Sequence, residues 1–227
     1  TAAVFGMRQA ILDISLSPSG EKIAYIAPSG KSAEAVYVVD LSDTAEPKAL
    51  TRFSEPNARM TDCSFATETR LICQVHVIVK NVDSLLGYTR MLSLSTDGEE
   101  ITALTQKQSS SALGFSQNGG NVISLDIPAE DNKILMTREW LKEITTGTRM
   151  GNPDEGLGVD EVDVVTGRRK SVIRPDSGAI GYIADNAGEI RMKIRRPETA
   201  TGMLSSNLLF YFREPQKTGW ELLSKVK

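Results

Sequence analysis

Ile14-Ser-Leu-Ser-Pro-Ser-Gly-Glu-Lys-Ile-Ala-Tyr-Ile26 decides the fold. A short β-prone run meets a Pro-Ser-Gly turn, and a second aliphatic run answers it, as in a tight hairpin. A third strand is expected at Ala35-Val-Tyr-Val-Val-Asp-Leu41 and a fourth at Pro47-Lys-Ala-Leu-Thr51. The same order then returns three times. The polar turns Pro18–Lys22, Ala66–Arg70, Ala129–Lys133 and Asp185–Glu189 lead into Ile23, Leu71, Ile134 and Ile190. Third strands are expected at 36–41, 88–94, 159–165 and 208–212, and fourth strands at 48–51, 100–105, 169–173 and 221–226. Thr96-Asp-Gly98 and Thr166-Gly167 supply the left-handed backbone that tight turns need. Units of four short strands in series predict an all-β modular array, most economically a β-propeller of about four blades. The blades are placed at approximately 11–53, 60–105, 121–174 and 179–227.

Little else competes with strand. Arg138-Glu-Trp-Leu-Lys-Glu-Ile144 reads as one or two helical turns inside an insertion of the third unit. Residues 106–121, with Ser109-Ser-Ser111 and Gly119-Gly120, read as a long loop, and so do residues 145–158. Loops on a rigid β scaffold are where binding function concentrates, so the surfaces 106–121 and 138–158 are the candidates for it.

Composition narrows the class. A chain of 227 residues with 40% hydrophobic and 24% charged residues can bury a core. Its 26 Lys and Arg against 29 Asp and Glu give a net charge of −3, which speaks against nucleic acid as a partner. Arg168-Arg169-Lys170 and Arg195-Arg196 read as solvated turn residues. No apolar run approaches the ~20 residues of a membrane span, and Val75-His-Val-Ile-Val79 has strand length. No signal peptide is visible at Thr1, and since the chain could be a mature or trimmed form, this says little about export.

Cys63 and Cys73 stand symmetrically about Glu68 in the second turn. Residues so placed face each other across a hairpin, close enough for a disulfide in a non-hydrogen-bonded pair. The alternative is two buried thiols in a reducing compartment. A disulfide would put the chain in the periplasm or outside the cell. No second Cys or His pair offers a zinc pattern, and neither a metal nor a cofactor is expected.

Catalytic motifs are incomplete. A nucleophile elbow needs Gly-x-Ser-x-Gly and a histidine base. Gly114-Phe-Ser-Gln-Asn118 has Asn at the second glycine position, and the only histidine, His76, lies in an expected strand. In Gly30-Lys31-Ser32, Tyr25 stands where a phosphate loop would begin with Gly. The pairs Glu99-Glu100, Asp154-Glu155 and Asp160-Glu161 read as surface charge, since neighbours on a strand point to opposite faces. No catalytic residue is assigned.

Ile14–Ile26 resembles the first propeller blade of prolyl oligopeptidase-family serine peptidases. Cys63-Ser-Phe-Ala-Thr-Glu-Thr-Arg-Leu-Ile-Cys-Gln74, Gly156-Leu-Gly-Val-Asp-Glu-Val-Asp163 and Trp220-Glu-Leu-Leu223 resemble a bacterial branch of that family. The branch includes acyl-peptide and dipeptidyl peptidases and isopeptidases that open lasso peptides. The resemblance implies a seven- or eight-bladed propeller capping an α/β-hydrolase domain that carries Ser, Asp and His. Such a propeller restricts access to small or unstructured peptides. This chain departs from the pattern: it holds about four blades and no hydrolase domain, so none of the family's catalytic residues can be placed on it.

The leading expectation is therefore a non-catalytic, substrate-gating propeller segment from the N-terminal part of a periplasmic or secreted serine peptidase. Its partners would be an α/β-hydrolase domain of the same protein and a peptide substrate. Four blades in an open arc would leave apolar end faces, through which two copies could pair. Competing expectations are a free-standing propeller that binds a protein partner and a propeller glycosidase or lyase with its own site.

Overall fold

The computed structural model describes residues 9–30, 32–42, 46–81, 83–125, 127, 131–148, 150–199 and 201–227. Thr1, Lys31 of the Gly30–Ser32 triplet, Ala129 and Glu130 of the third turn, and Arg149 of the second loop lie outside the described residues. The fold is all-β, of the β-propeller class. Among the described residues, sixteen strands form four four-stranded antiparallel sheets, and in each sheet the hydrogen-bonded neighbours are neighbours in sequence. That meander is the strand pattern of a propeller blade.

Two compact units are distinguished. The first comprises the described residues up to Thr105 together with Val164–Gly167. Its first sheet holds β1 (Asp13–Leu16), β2 (Lys22–Ser29), β3 (Ala33–Asp40) and β4 (Lys48–Phe53). Its second holds β5 (Ala58–Thr67), β6 (Arg70–Asn81), β7 (Ser84–Ser95) and β8 (Ile101–Ala103). The β1–β2 turn is built by Ser17, whose carbonyl accepts from Gly20 N–H at 2.9 Å while its Oγ accepts from Lys22 N–H at 3.1 Å. Gly20 has φ 78°, which explains the glycine in Pro-Ser-Gly. Alternation with period two sends Ala24, Ile26, Val36 and Val38 into one core with Met60, Cys63, Phe65, Leu71, Cys73, Val75 and Leu94. Fully burying one such large aliphatic side chain contributes about 1.5–3 kcal/mol.

Cys63 and Cys73 are a register pair of β5 and β6 and form a disulfide, with Cα atoms 4.1 Å apart. That spacing belongs to the non-hydrogen-bonded pair of an antiparallel ladder. The N–H of Cys63 therefore points away from β6, and so does that of Phe65. Side chains of the first sheet meet these groups. Asp13 Oδ2 accepts from Cys63 N–H at 2.8 Å, Ser15 Oγ from Phe65 N–H at 3.2 Å, and Glu34 Oε2 from Met60 N–H at 2.9 Å. Glu34 is 4% exposed, and its other oxygen pairs with Arg59 Nη1 at 3.1 Å. The edge of β5 is thus satisfied by three side chains instead of a fifth strand.

The second unit comprises residues 106–163 and 168–227. One sheet has the order β12-β11-β10-β9, from β9 (Val122–Ser124), β10 (Lys133–Trp140), β11 (Gly156–Asp163) and β12 (Arg169–Asp176). The other runs β13 (Ala179–Ala184), β14 (Ile190–Arg195), β15 (Leu208–Phe212) and β16 (Glu221–Val226). Leu135, Val159, Ala179, Tyr182 and Ile190 form their shared core, with Trp220 packed beside it. Tyr182 Oη donates to Leu157 O at 3.1 Å, and burial pushes its phenol well above the ordinary range. Asp160, with no exposed surface, is held by Arg169 at 3.1 Å and Arg138 at 3.6 Å.

Several expectations are corrected. Asp160 and Arg169, read as surface charge, have buried side chains that pair with each other. Residues 156–158 begin β11 instead of ending a loop. Arg138–Ile144 is not helical: Arg138, Glu139 and Trp140 complete β10, paired with Gly158, Leu157 and Gly156. The glycines make the difference. A Cβ on Gly158 would stand 2.7 Å from Ile173 O and 3.2 Å from Trp140 Nε1, so only a bare backbone leaves space for the Trp140 indole. Arg138 then stacks on that indole, 3.6 Å from its centroid. The third strand of the second sheet begins at Ser84 instead of Tyr88, because β6 and β7 continue past their neighbours as a two-stranded hairpin.

Two stability predictions follow from the β5 edge. Glu34→Ala leaves the buried Met60 N–H unpaired and lowers unfolding free energy by about 1–3 kcal/mol in denaturant titration. Asp62 is different: burial and the neighbouring Asp13 carboxylate raise its pKa, so the folded state disfavours its ionised form. Asp62→Asn raises Tm near neutral pH. The advantage over wild type vanishes as pH falls through the carboxylate range, where protonation of Asp62 relieves the same repulsion.

Candidate functional site in the paired loops of the second unit

Residues 106–121 and 141–155 enclose β9 and β10 in sequence, and hydrogen bonds join them. Leu113 N–H donates to Lys142 O and Ile144 N–H to Ser111 O, each at 2.8 Å, with Ala112 bridged to Glu143 between them. Glu143 N–H donates onward to Asn152 O at 2.9 Å. Three irregular segments therefore lie side by side. Gly151 is the close-approach residue, since a Cβ there would stand 2.4 Å from Glu143 O.

Side chains fix the rest. Gln108 Oε1 accepts from Ser116 N–H at 3.0 Å, and its Nε2 donates to Gly114 O. Ser116 Oγ lies 2.6 Å from Glu139 Oε2, tying the first loop to β10. Asn152 Oδ1 accepts from Asp154 N–H at 3.0 Å, and Lys142 Nζ pairs with Glu155 at 2.8 Å. The hydrogen bond to Glu155 and its charge raise the Lys142 pKa.

On this hydrogen-bonded frame sit apolar side chains turned to solvent. Phe115 is 85% exposed and Met150 82%, with Leu113 and Ile144 also exposed. A loop whose backbone is satisfied presents such groups in one place, at low ordering cost to anything that binds them. Residues 106–121 and 145–155 are visible in the sequence as loops, whereas Lys142–Ile144, which make the pairing, read as part of a helix. The pairing itself is not visible there, because irregular backbone pairing leaves no period in the side chains.

Ser116, at the centre of the imperfect elbow, has Glu139 and Asn118 as its hydroxyl partners. His76 lies in β6 with Arg59 and Thr89 as cross-strand neighbours, and its imidazole leans over Gly87. Among the described residues, no group of three or more His, Cys, Asp or Glu side chains could hold a metal ion. No helix among them is long and apolar enough to cross a membrane.

No protein-family model matches the chain, and no curated protein matches it in sequence. Solved structures align with most of its length at low similarity. The β-propeller domain of the trilobed protease from Pyrococcus furiosus aligns with TM-score 0.49 and 14% identity, over 95% of this chain and 57% of that one. A Synechocystis apocarotenoid oxygenase mutant aligns with TM-score 0.46 and 13% identity, over 93% and 49%. A puromycin-hydrolysing peptidase of Mycobacterium tuberculosis aligns with TM-score 0.35 and 15% identity, over 92% and 35%. The chain thus spans less than two thirds of each. These are distant likenesses among proteins of unlike chemistry, and the fold assignment rests on strand order and register.

The loop frame separates two kinds of residue. Phe115→Ser changes stability by no more than about 0.5 kcal/mol, as expected of an exposed side chain. Gly151→Ala drives a Cβ against the Glu143 carbonyl and costs about 1–3 kcal/mol, measured by chemical denaturation.

Proposed function

We propose that this chain is the non-catalytic propeller segment of a peptide-hydrolysing serine peptidase, and that its paired loops help select the peptides admitted. The observation that carries the reading is the exposure of Phe115, Leu113 and Met150 on the hydrogen-bonded segments 106–116 and 141–152. Apolar groups held ready for contact suit transient capture of extended peptides, whose side chains and backbone are both available. The same surface suits docking of an α/β-hydrolase domain in the same protein.

Uncovered sheet faces support the view that more structure belongs against it. In the first sheet, Ile14 and Leu16 are exposed, in register with Tyr25 and Ile23. In the fourth, Ile183, Met192 and Phe212 share one face, as do Ile194 and Phe210, and none of these is buried. Further blades, or a second copy, would remove these faces from water. The disulfide fits a periplasmic or secreted protein.

The test joins chemistry to the loops. A fluorophosphonate probe labels a longer protein that carries both this segment and a hydrolase domain, and leaves the 227-residue chain unlabelled. In that longer protein, replacing Phe115 and Met150 by Ser raises KM for peptides several-fold and spares a small chromogenic ester. Labelling of the short chain, or unchanged peptide kinetics in the variant, overturns the reading.

A further inference from the structure

The hairpin at the end of β6 and β7 projects beyond its sheet. β6 and β7 pair without a register shift from Arg70↔Ser95 to Asn81↔Ser84. Their neighbours stop earlier: β5 at Ala58, opposite Val77, and β8 at Leu92. Past these points the hairpin has two strands only, an arrangement of marginal stability in water. It also presents large apolar groups on both faces. Val79 pairs with Leu86 on one, Lys80 with Leu85 on the other, and Leu85 is 72% exposed.

The outer edge of β7 is unusual among the described strand edges. Natural edges are guarded by charge, proline, bulges or shortness. β4 carries Lys48 and Arg52 and a register shift in its pairing. β12 carries Arg169, Lys170, Arg174 and Pro175, also with shifts. β16 carries Glu221 and Lys225 and is bulged, and β8 has three residues. Ser84-Leu-Leu-Gly-Tyr-Thr89 has no charge, no proline and no shift.

Its hydrogen-bonding direction is fixed. Met91 O accepts from Leu104 N–H at 2.8 Å, and Ser95 N–H donates to Glu100 O at 3.0 Å, so odd-numbered residues of β7 turn their backbone groups outward. With no shift in register, Leu85 and Gly87 do the same, and nothing pairs with them on that side among the described residues.

We propose that β7 pairs antiparallel with β7 of a second copy of this chain, about a two-fold axis at Leu86. This register sets Leu85 against the partner's Gly87 and Gly87 against the partner's Leu85. Both members of each pair are outward-directed, so each pair exchanges two backbone hydrogen bonds. Leu86 meets the partner's Leu86 in the close, non-hydrogen-bonded position. Gly87 brings no side chain, so the partner's Leu85 lies beside the His76 imidazole, whose Nε2 is 3.0 Å from where a Gly87 Cβ would stand. The Arg90 guanidinium, 5.3 Å over Tyr88, donates to the outward Thr89 O at 2.6 Å and so closes the pairing stretch at that end. An isologous contact of this kind closes at two copies and exposes no further edge of β7.

The test is a charge swap at the axis, read by sedimentation of the chain over a range up to about 100 μM, in the affinity regime of small interfaces. Wild type sediments as a monomer–dimer equilibrium. Leu86→Lys and Leu86→Glu, each placing like charges face to face, raise the dissociation constant at least about tenfold. An equimolar mixture of the two restores association. Circular dichroism confirms that each variant is folded. Leu86→Cys supplies an independent reading, since air oxidation links two copies at the two-fold axis. A wild type that stays monomeric throughout, charged variants that dimerise as wild type does, or a Leu86→Cys variant that does not cross-link overturns the proposal. Association through uncovered sheet faces would persist in Leu86→Lys and is thereby distinguished.

Discussion

A meander of four strands always ends in two unsatisfied edges, and much of the first unit is arranged around that fact. The N–H groups of Met60, Cys63 and Phe65 point out of their own sheet and end on Glu34, Asp13 and Ser15 of the preceding one. These bonds do more than settle lone donors. Apolar packing alone is non-directional and would tolerate sliding of one sheet over the other. Three side-chain acceptors at fixed positions along β1 and β3 set the register between the sheets. The disulfide contributes by holding Cys63 in the non-hydrogen-bonded position that turns its N–H toward Asp13.

The same accounting explains which polar residues the interior admits. Glu34 and Asp160 are both buried carboxylates on strands. Each is paired with guanidinium groups, Arg59 in one case and Arg169 with Arg138 in the other. Asp176 belongs to the same class in a half-open setting. Burial works to raise its pKa, but Lys193, the Gly178 N–H and Arg195 outweigh it and hold the carboxyl below the usual range. These carboxylates accordingly sit where an opposite charge meets them.

Much of the architecture was legible in the residues. Ser17, Gly20 and Lys22 announce the first hairpin because the turn needs a left-handed glycine and a capping hydroxyl. The disulfide was legible because Cys63 and Cys73 are equidistant from Glu68 in the turn. The supposed helix at Arg138–Ile144 shows the limit of local reading: its residues suit a helix, and the deciding features, Gly156 and Gly158, are more than a dozen positions away in the chain. The loop site was legible only as two separate loops. Its joining bonds run between main-chain groups, which every residue type carries alike. The Asp13, Ser15 and Glu34 contacts were hidden for a related reason, since polar residues alternating with apolar ones on a strand suggest a solvated face until the next sheet is set against it.

The two tryptophans give the molecule an optical asymmetry. Trp140 lies under Arg138, and Trp220 is flanked by Lys193 at 5.2 Å and Arg213 at 4.9 Å, so both indoles belong to the second unit. The first unit has tyrosines only, among them the stacked pair Tyr25 and Tyr37 with centroids 5.1 Å apart. Emission excited at the red edge of absorption, where indole alone absorbs, therefore reports on the second unit. The loss of structure in that unit can be followed by itself without any added dye.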